Sequence, residues 1–475
     1  MARVVVVGAG MGGMATAARL AVAGHRVTVL ERGGRAGGAA GRFERDGFTF
    51  DTGPGLLWLP AVWRDLFIKT GKRPLEECVE LRRVDPAAEH RFADGTRLRL
   101  PGFSRGGVGQ ALDEALGAGA GERWHALQGR ARQTWEATRR PLVEEPLTSA
   151  AARAALLPDP YPALPPRRTG LLRRRAPARG PGLPAVAERE LGDARLTALL
   201  AGTVEEYGIR FERAPASATV LAYVEQTFGT WYPVGGIAAL VDAVRERCAE
   251  RGVEFAHGAE ARRILERDGK AAGVELADGE RVSADHVVWS APGLGAAPRG
   301  DSRFTVLLAL DGARPPGTAH RLLVHPADGG PVVRVLRPDD ATLWPATGTG
   351  PAGHTAVVSA LAPPQGAVDW REAATVERWT DRLLTAADLE NVRWHQVRTP
   401  LDIERETGMP GGVIPAPALA GADGELLAAP NAGRLPGAWR AGALAHPGGG
   451  LAHTGMSGAL ATGLIVEGPG WRGSY

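Results

Sequence analysis

The stretch "RVVVVGAGMGGMATAARLAVAGHRVTVLE", residues 3–31, decides the fold. Val4 to Val7 form a short, wholly apolar run, the mark of a strand buried on both faces. Gly8, Gly10 and Gly13 follow with the spacing G-x-G-x-x-G, and Gly12 lies inside it. The first glycine allows a tight turn, the second lets the backbone approach a pyrophosphate, and the third packs helix on strand. A helix is predicted from Met11 to Ala23, stopped by Gly24. Its free N–H groups and positive dipole end suit a phosphate. "RVTVL" is the second strand, and Glu31 follows Gly13 by 18 residues, where a carboxylate accepts ribose hydroxyls. Strand, helix, second strand and acid in register predict adenine dinucleotide binding, and an α/β, Rossmann-like fold for the segment.

At 475 residues the chain exceeds one ordinary core, so at least two domains are expected. Hydrophobic content of 44% and charge of 23% are those of a folded, soluble protein. A formal net charge of +3 gives no argument for a nucleic-acid partner. Only three of the 56 basic residues are lysines, Lys69, Lys72 and Lys270. Cys78 and Cys248 give neither a disulfide framework nor metal spacing, so no metal is expected. Residues 1–7 read as a strand and not a signal peptide, which predicts a cytoplasmic location. The uncharged tail "AGALAHPGGGLAHTGMSGALATGLIV", 441–466, is long enough to span a bilayer. Its Gly-Pro cluster and two imidazoles, His446 and His453, argue against lipid.

After the dinucleotide motif comes "GGRAGGAAGRFERDGFTFDTGP", too rich in glycine for a nicotinamide domain. It resembles the second flavin-contacting segment of amine-oxidase-like FAD enzymes, and more narrowly that of the phytoene desaturase (carotenoid dehydrogenase) family. Gly37, Gly38, Ala40, Gly47, Phe48, Phe50, Asp51, Gly53 and Pro54 match in register. Ala39 stands where the family has arginine, leaving Arg35 or Arg42 to make that phosphate or ribityl contact. "HRFADGTRLRL" is similar to a family hairpin turning at Asp94-Gly95, and "GTWYPVGGIAALVDAVRERCAERGVEF" to its Gly-Gly helix start at Gly235-Gly236. "GVELADGERVSADHVVWSA" resembles returning strands of the FAD domain, and "TPLDIERETGMPGG" a segment just before the last flavin motif. The tail resembles the family's His-Pro-Gly-x-Gly motif and its following helix, with Gly442-Ala443 where many relatives have Gly-Asp.

The resemblance covers nearly the whole chain and implies non-covalent FAD. Its implied contacts are Gly8, Gly10, Gly12, Gly13, Glu31, Arg32, Gly37, Gly38, Gly53, Pro54, Gly235, Gly236 and Ala261, with Gly442, Pro447, Gly448, Gly449, Gly450 and Leu451 beneath the isoalloxazine. The implied FAD-binding domain is discontinuous, 1–100, 225–300 and 395–475. A mixed α+β substrate domain takes 101–224, largely helical, and 301–394, whose "RFTVLLALDG" suggests an antiparallel sheet as a pocket floor. Trp124, Leu127 and Trp135 form one candidate buried stripe. Trp58, Trp231, Tyr232 and His446 are candidate substrate-pocket residues. Trp231 and Tyr232 read equally as core, and His446 as a base near the flavin or a cap of the glycine turn. No catalytic residue is assigned.

The implied activity is desaturation of an apolar, small-molecule isoprenoid or carotenoid-like polyene. Two alternatives on the same fold are an amine or amino-acid oxidase, which the scarcity of lysine disfavours, and a prenyl-binding escort protein, which the intact glycine motifs disfavour. Residues 158–184 hold eight prolines and six arginines against one acid, Asp159. They read as a solvated loop, or as a peripheral membrane contact in which arginines meet anionic head groups.

Overall fold

The structure is a computed structural model and describes residues 1–102, 104–164, 182–295, 299–347, 350–351 and 353–473. Most of the arginine-proline segment, 165–181, lies outside the described residues.

Five parallel strands form the first sheet, in the order Ala438–Arg440, His286–Trp289, Arg3–Val7, Arg26–Glu31, Glu254–His257. The four valines of the central strand explain why it sits there. Val4 and Val6 pack with Met14, Ala17, Ile237 and Leu240, while Val5 and Val7 pack with Val274, Leu276 and Trp289. Alternate side chains thus enter separate cores, each valine contributing roughly 1.5–3 kcal/mol on burial. One face carries the helices Met11–Val22 and Ile237–Glu250, and the other an antiparallel sheet of Ala261–Arg267, Lys270–Leu276 and Arg281–Ser283. The strands of the parallel sheet come from the first, middle and last parts of the chain, so the unit is discontinuous.

The second sheet has seven strands, ordered Val392–Arg398, Ser302–Asp311, Gly353–Ala362, Val333–Leu336, Arg321–Val324, Ala88–Arg91, Arg97–Leu100. The hairpin Ala88–Leu100, expected in the FAD-binding segment 1–100, therefore belongs to this other sheet, where Ala88–Arg91 pairs in parallel with Arg321–Val324. Val392–Arg398 likewise crosses the expected boundary at 394 to extend the sheet. Ser302–Asp311 is buried along nearly its whole length, not on one side only. Phe304, Val306 and Leu308 pack under the helix Ala373–Ala387, and Leu307 and Ala309 pack under Phe48 and Phe50. Helices Arg105–Leu116, Ala120–Arg139, Ala194–Glu206 and Thr219–Phe228 make the remaining layer. Trp124 and Leu127 are buried there, whereas Trp135 is only half-buried.

The uncharged tail is a buried helix, Leu451–Val466, lying along Met11–Val22. Small residues permit the contact: a Cβ on Gly458 would lie 2.9 Å from Ala15 Cβ and from the Gly12 carbonyl oxygen. Among the described residues, no helix is long and apolar enough to cross a membrane.

Candidate active site

A cavity of about 680 Å³ runs between the two sheets. Gly8, Gly10, Gly12, Glu31, Arg32, Gly37, Gly38, Gly53, Pro54, Ala261, Gly442, Gly450 and Leu451 all line it, with Trp58. Gly10 has φ −71° and ψ 169°, and a Cβ there would meet nothing within 4 Å. Its exposed face therefore opens onto the cavity, at the N-terminus of Met11–Val22. Gly13 does the opposite, since its Cβ would stand 2.2 Å from the Gly8 carbonyl oxygen. It packs helix on strand and does not line the cavity. Glu31 accepts from the Ala9 and Gly33 amides, both at 2.8 Å, which aims its carboxylate across the glycine turn. Arg32 is held by the carbonyls of Arg405 and Glu406.

Other expected contacts act from behind the wall. Gly235 and Gly236 do not line the cavity. Both have positive φ, 87° and 80°, and a Cβ on Gly236 would lie 2.7 Å from Asp51 Oδ2. Gly236 clears room for Asp51, which accepts from the Ile237 amide at 2.8 Å and the Ala238 amide at 3.1 Å, while the Gly235 amide donates to Asp340. Asp51, on the cavity wall, thereby caps the helix Ile237–Glu250. Burial pushes its carboxyl up to about 6, although those two amides and Arg42 pull the other way. Pro447, Gly448 and Gly449 also stand behind the wall. The Gly449 amide donates to the Ala416 carbonyl and the Ala418 amide to that of Pro447, bracing the lining residues Pro415, Pro417 and Ala418.

Of the candidate pocket residues, only Trp58 lines the cavity; Trp231, Tyr232 and His446 do not. Trp231 lies between the guanidinium groups of Arg64 and Arg83, at 5.1 and 4.7 Å from its ring centroid. Tyr232 is 3% exposed and donates to Asp340 at 2.7 Å. The buried His446 sets Nε2 3.1 Å from the Glu145 carbonyl oxygen, and burial pushes its pKa down to about 4. Arg35 and Arg42 are also outside the lining: Arg35 donates to the Arg42 carbonyl, and Arg42 pairs with Asp242. The cations that do line the cavity are Arg32, Arg139, Arg262, Arg303, Arg334 and Arg398.

Several lining residues carry no sequence motif. On the floor, the lining residues Arg398, Thr305 and Arg334 fall in one row across four adjacent strands, with Ser359 of Gly353–Ala362 between the last two. Arg334 pairs with Glu206, whose side chain is 2% exposed, and Arg321 bridges Glu206 and Glu225. Burial opposes the Glu206 charge, but Arg334, Arg321 and Arg303 together hold its carboxyl down at about 2. The rings of Trp58 and Tyr207 touch, with centroids 5.2 Å apart. His453, third residue of Leu451–Val466, is on the wall without a hydrogen bond within the described residues. Burial, then the neighbouring His446, push its pKa down to about 4, so it is neutral at physiological pH.

The model of the family described as "Flavin containing amine oxidoreductase" matches residues 11–400, most of the chain. The chain belongs to that family. Its cofactor is FAD, and the open face of Gly10 and the inward carboxylate of Glu31 are what such a dinucleotide needs. The chain is 33% identical to the zeta-carotene-forming phytoene desaturase of Myxococcus xanthus over 61% of this chain and 53% of that one. It is 28% identical to the hydroxyneurosporene desaturase of Rubrivivax gelatinosus, over 98% of this chain and 93% of that one. It thus spans about half the length of several curated relatives that it matches, the Myxococcus enzyme among them. An oxidoreductase of Methanosarcina mazei has a similar fold, with a TM-score of 0.62 at 17% identity over 96% of this chain and 99% of that one.

The Asp51 cap gives a pH dependence. Its folded pKa is raised, so its contribution to stability is full below the unfolded value near 3.8 and is lost as pH rises through 6. Asp51→Asn removes that slope, and between pH 4 and 6.5 the variant is expected to gain on the wild type by up to about 3 kcal/mol. Unfolding midpoints of both proteins across that range check this; parallel curves would contradict it.

Proposed function

We propose that this protein is an FAD-dependent desaturase of an isoprenoid or carotenoid-like polyene. The observation that carries this reading is the continuity of one cavity from the glycine turn to an apolar wall of Trp135, Leu142, Val143, Val220, Leu221 and Val224. Such a wall holds a long hydrocarbon and excludes water. Relatives named as desaturases of phytoene and hydroxyneurosporene support the same substrate class.

In this reading the turn Gly8–Gly13 and the helix behind it bind the pyrophosphate through backbone N–H groups. Glu31 accepts the ribose hydroxyls, and Gly37, Gly38, Gly53 and Pro54 lie along the dinucleotide. Leu451, with Gly450 before it, would present the positive end of the last helix to a bound flavin, where it favours negative charge, while Gly442, packed on Gly12, would serve the glycine turn. Bound flavin supplies hydride acceptance. In this reading His453, neutral and on the cavity wall, would take the proton lost from the neighbouring carbon. FAD is held without a covalent bond: Cys78 lies outside the cavity lining and Cys248 is buried in the core under the glycine helix.

The amine-oxidase alternative fits less well. No lysine lines the cavity among the described residues, and Trp58 and Tyr207, in contact with each other, leave no gap for an amine between them. An escort protein has no use for the Gly10 opening. The test is co-expression in cells that accumulate acyclic carotenoid precursors. Products carrying additional conjugated double bonds are expected; unchanged precursor pools would contradict the reading.

A further inference from the structure

The cavity floor carries a cation that lies near Glu206 but makes no ion pair of its own among the described residues. Arg303 sits on Ser302–Asp311, on the same face as Thr305, and both line the cavity. One amino group of its guanidinium donates to the carbonyls of Glu205 at 3.0 Å and Glu206 at 3.2 Å, capping the C-terminus of the helix Ala194–Glu206. That cap uses only Nη2. Among the described residues Nε and Nη1 make no hydrogen bond and no carboxylate forms an ion pair with Arg303. The nearest acids are already engaged: Glu206 by Arg334 and Arg321, and Glu225 by Arg321. Glu205 accepts from the Val332 amide, and burial pushes its carboxyl up to about 7 although that amide, Arg303 and Arg210 pull the other way.

Arg303, Arg334 and Arg321 thus face the two ion-paired carboxylates Glu206 and Glu225 and a Glu205 that is about half ionised at neutral pH, and Arg303 is the guanidinium of the three that lines the cavity with two donor nitrogens to spare. Arg303 is half-buried; a cation drawn partly out of water is costly unless a partner offsets it, and a guanidinium fork is shaped for two carboxylate oxygens. Tyr207 adds a second donor: its phenol lines the cavity and makes no hydrogen bond within the described residues. A pure hydrocarbon would leave all these donors unsatisfied.

We propose that Arg303 anchors an oxygen-bearing end of the substrate, a carboxylate binding best and a hydroxyl less well, so that the cavity takes an oxygenated isoprenoid. This rests on the desaturase reading and names its substrate class. The apolar wall receives the chain, while Arg303 and Tyr207 fix its register and hence which C–H bonds reach the flavin.

The experiment uses FAD-loaded protein and three C20 probes on one skeleton: geranylgeranoic acid, geranylgeraniol and the hydrocarbon lacking oxygen. Equilibrium dialysis gives each dissociation constant for wild type, Arg303→Gln and Arg303→Lys, with flavin content and unfolding midpoint measured alongside. Wild type is expected to bind the acid about tenfold or more tighter than the hydrocarbon. Arg303→Gln should weaken the acid about 10- to 100-fold, as for loss of a charge-assisted hydrogen bond, and leave the hydrocarbon unchanged. Arg303→Lys should recover part of the loss. Equal affinity of wild type for acid and hydrocarbon would overturn the proposal. So would an equal loss for all three probes, which would make Arg303 a helix cap only. Loss of flavin with the acid preference intact would assign Arg303 to the cofactor and also overturn it. If wild type bound none of the probes, the desaturase reading itself would fall, and the proposal with it.

Discussion

Gly10→Val is expected to give a folded but colourless protein. The residue has φ −71°, which any L residue adopts, and a Cβ there meets nothing within 4 Å, so the side chain starts into open space and not into packed atoms. It does fill the space through which a pyrophosphate would reach the helix N-terminus, and flavin affinity should fall by about 100-fold or more. The unfolding midpoint should stay near that of flavin-free wild type. Gly13→Ala supplies the contrast, because its Cβ would stand 2.2 Å from the Gly8 carbonyl oxygen and strand and helix must separate. A yellow Gly10→Val protein with a full complement of FAD would contradict the placement of the dinucleotide.

Glu206→Ala is expected to cost about 3–5 kcal/mol of stability at neutral pH, since it strands Arg334 and leaves Arg321 with only Glu225. The pH dependence identifies the cause. With its folded carboxyl held near 2, Glu206 contributes stability that is full above the unfolded value near 4.5 and is lost as pH falls towards 2. Wild type and variant should therefore converge as the medium is acidified through that window. Denaturant unfolding at pH 7 and pH 3 measures both. A difference below about 1 kcal/mol at pH 7 would mean that the cluster relaxes or admits water once the glutamate is gone.

The dinucleotide unit was legible because its signals are local. Four valines, three spaced glycines and a terminal glutamate fall within 29 residues and fix strand, turn, helix and strand without help from the rest of the chain. The resemblance carried the order of the later motifs but not the partner of each. Gly235 and Gly236 read as flavin contacts because only a fold that joins residues 186 apart shows Asp51 between them and the cavity. Trp231 and Tyr232 flank the same turn, yet their strand Trp231–Pro233 pairs with Leu81–Arg83, which puts one ring between Arg64 and Arg83 and the other on Asp340.

The residues missed altogether arrive singly from distant elements. Arg303, Arg334 and Arg398 each look like one more arginine in an arginine-rich chain, and only strand register sets two of them in a row with Thr305 and Ser359. Tyr207 follows an ordinary amphipathic helix, and its contact with Trp58 spans 149 residues. His453 had a faint signal, being an imidazole at the third position of the last helix, directly after the glycine turn. Turn chemistry at Asp94-Gly95 fixes a strand pair and says nothing of its neighbour, so a hairpin expected within the FAD-binding segment 1–100 joins the seven-stranded sheet instead.

The most direct test of the account is a single-turnover reaction without oxygen. Purified FAD-loaded protein is mixed with an acyclic isoprenoid polyene, flavin absorbance is followed, and the extracted product is weighed by mass spectrometry. The account predicts bleaching of one flavin per two hydrogens removed and a product two mass units lighter with one more carbon–carbon double bond. Flavin that stays oxidised with polyenes but bleaches with an alkylamine would contradict it.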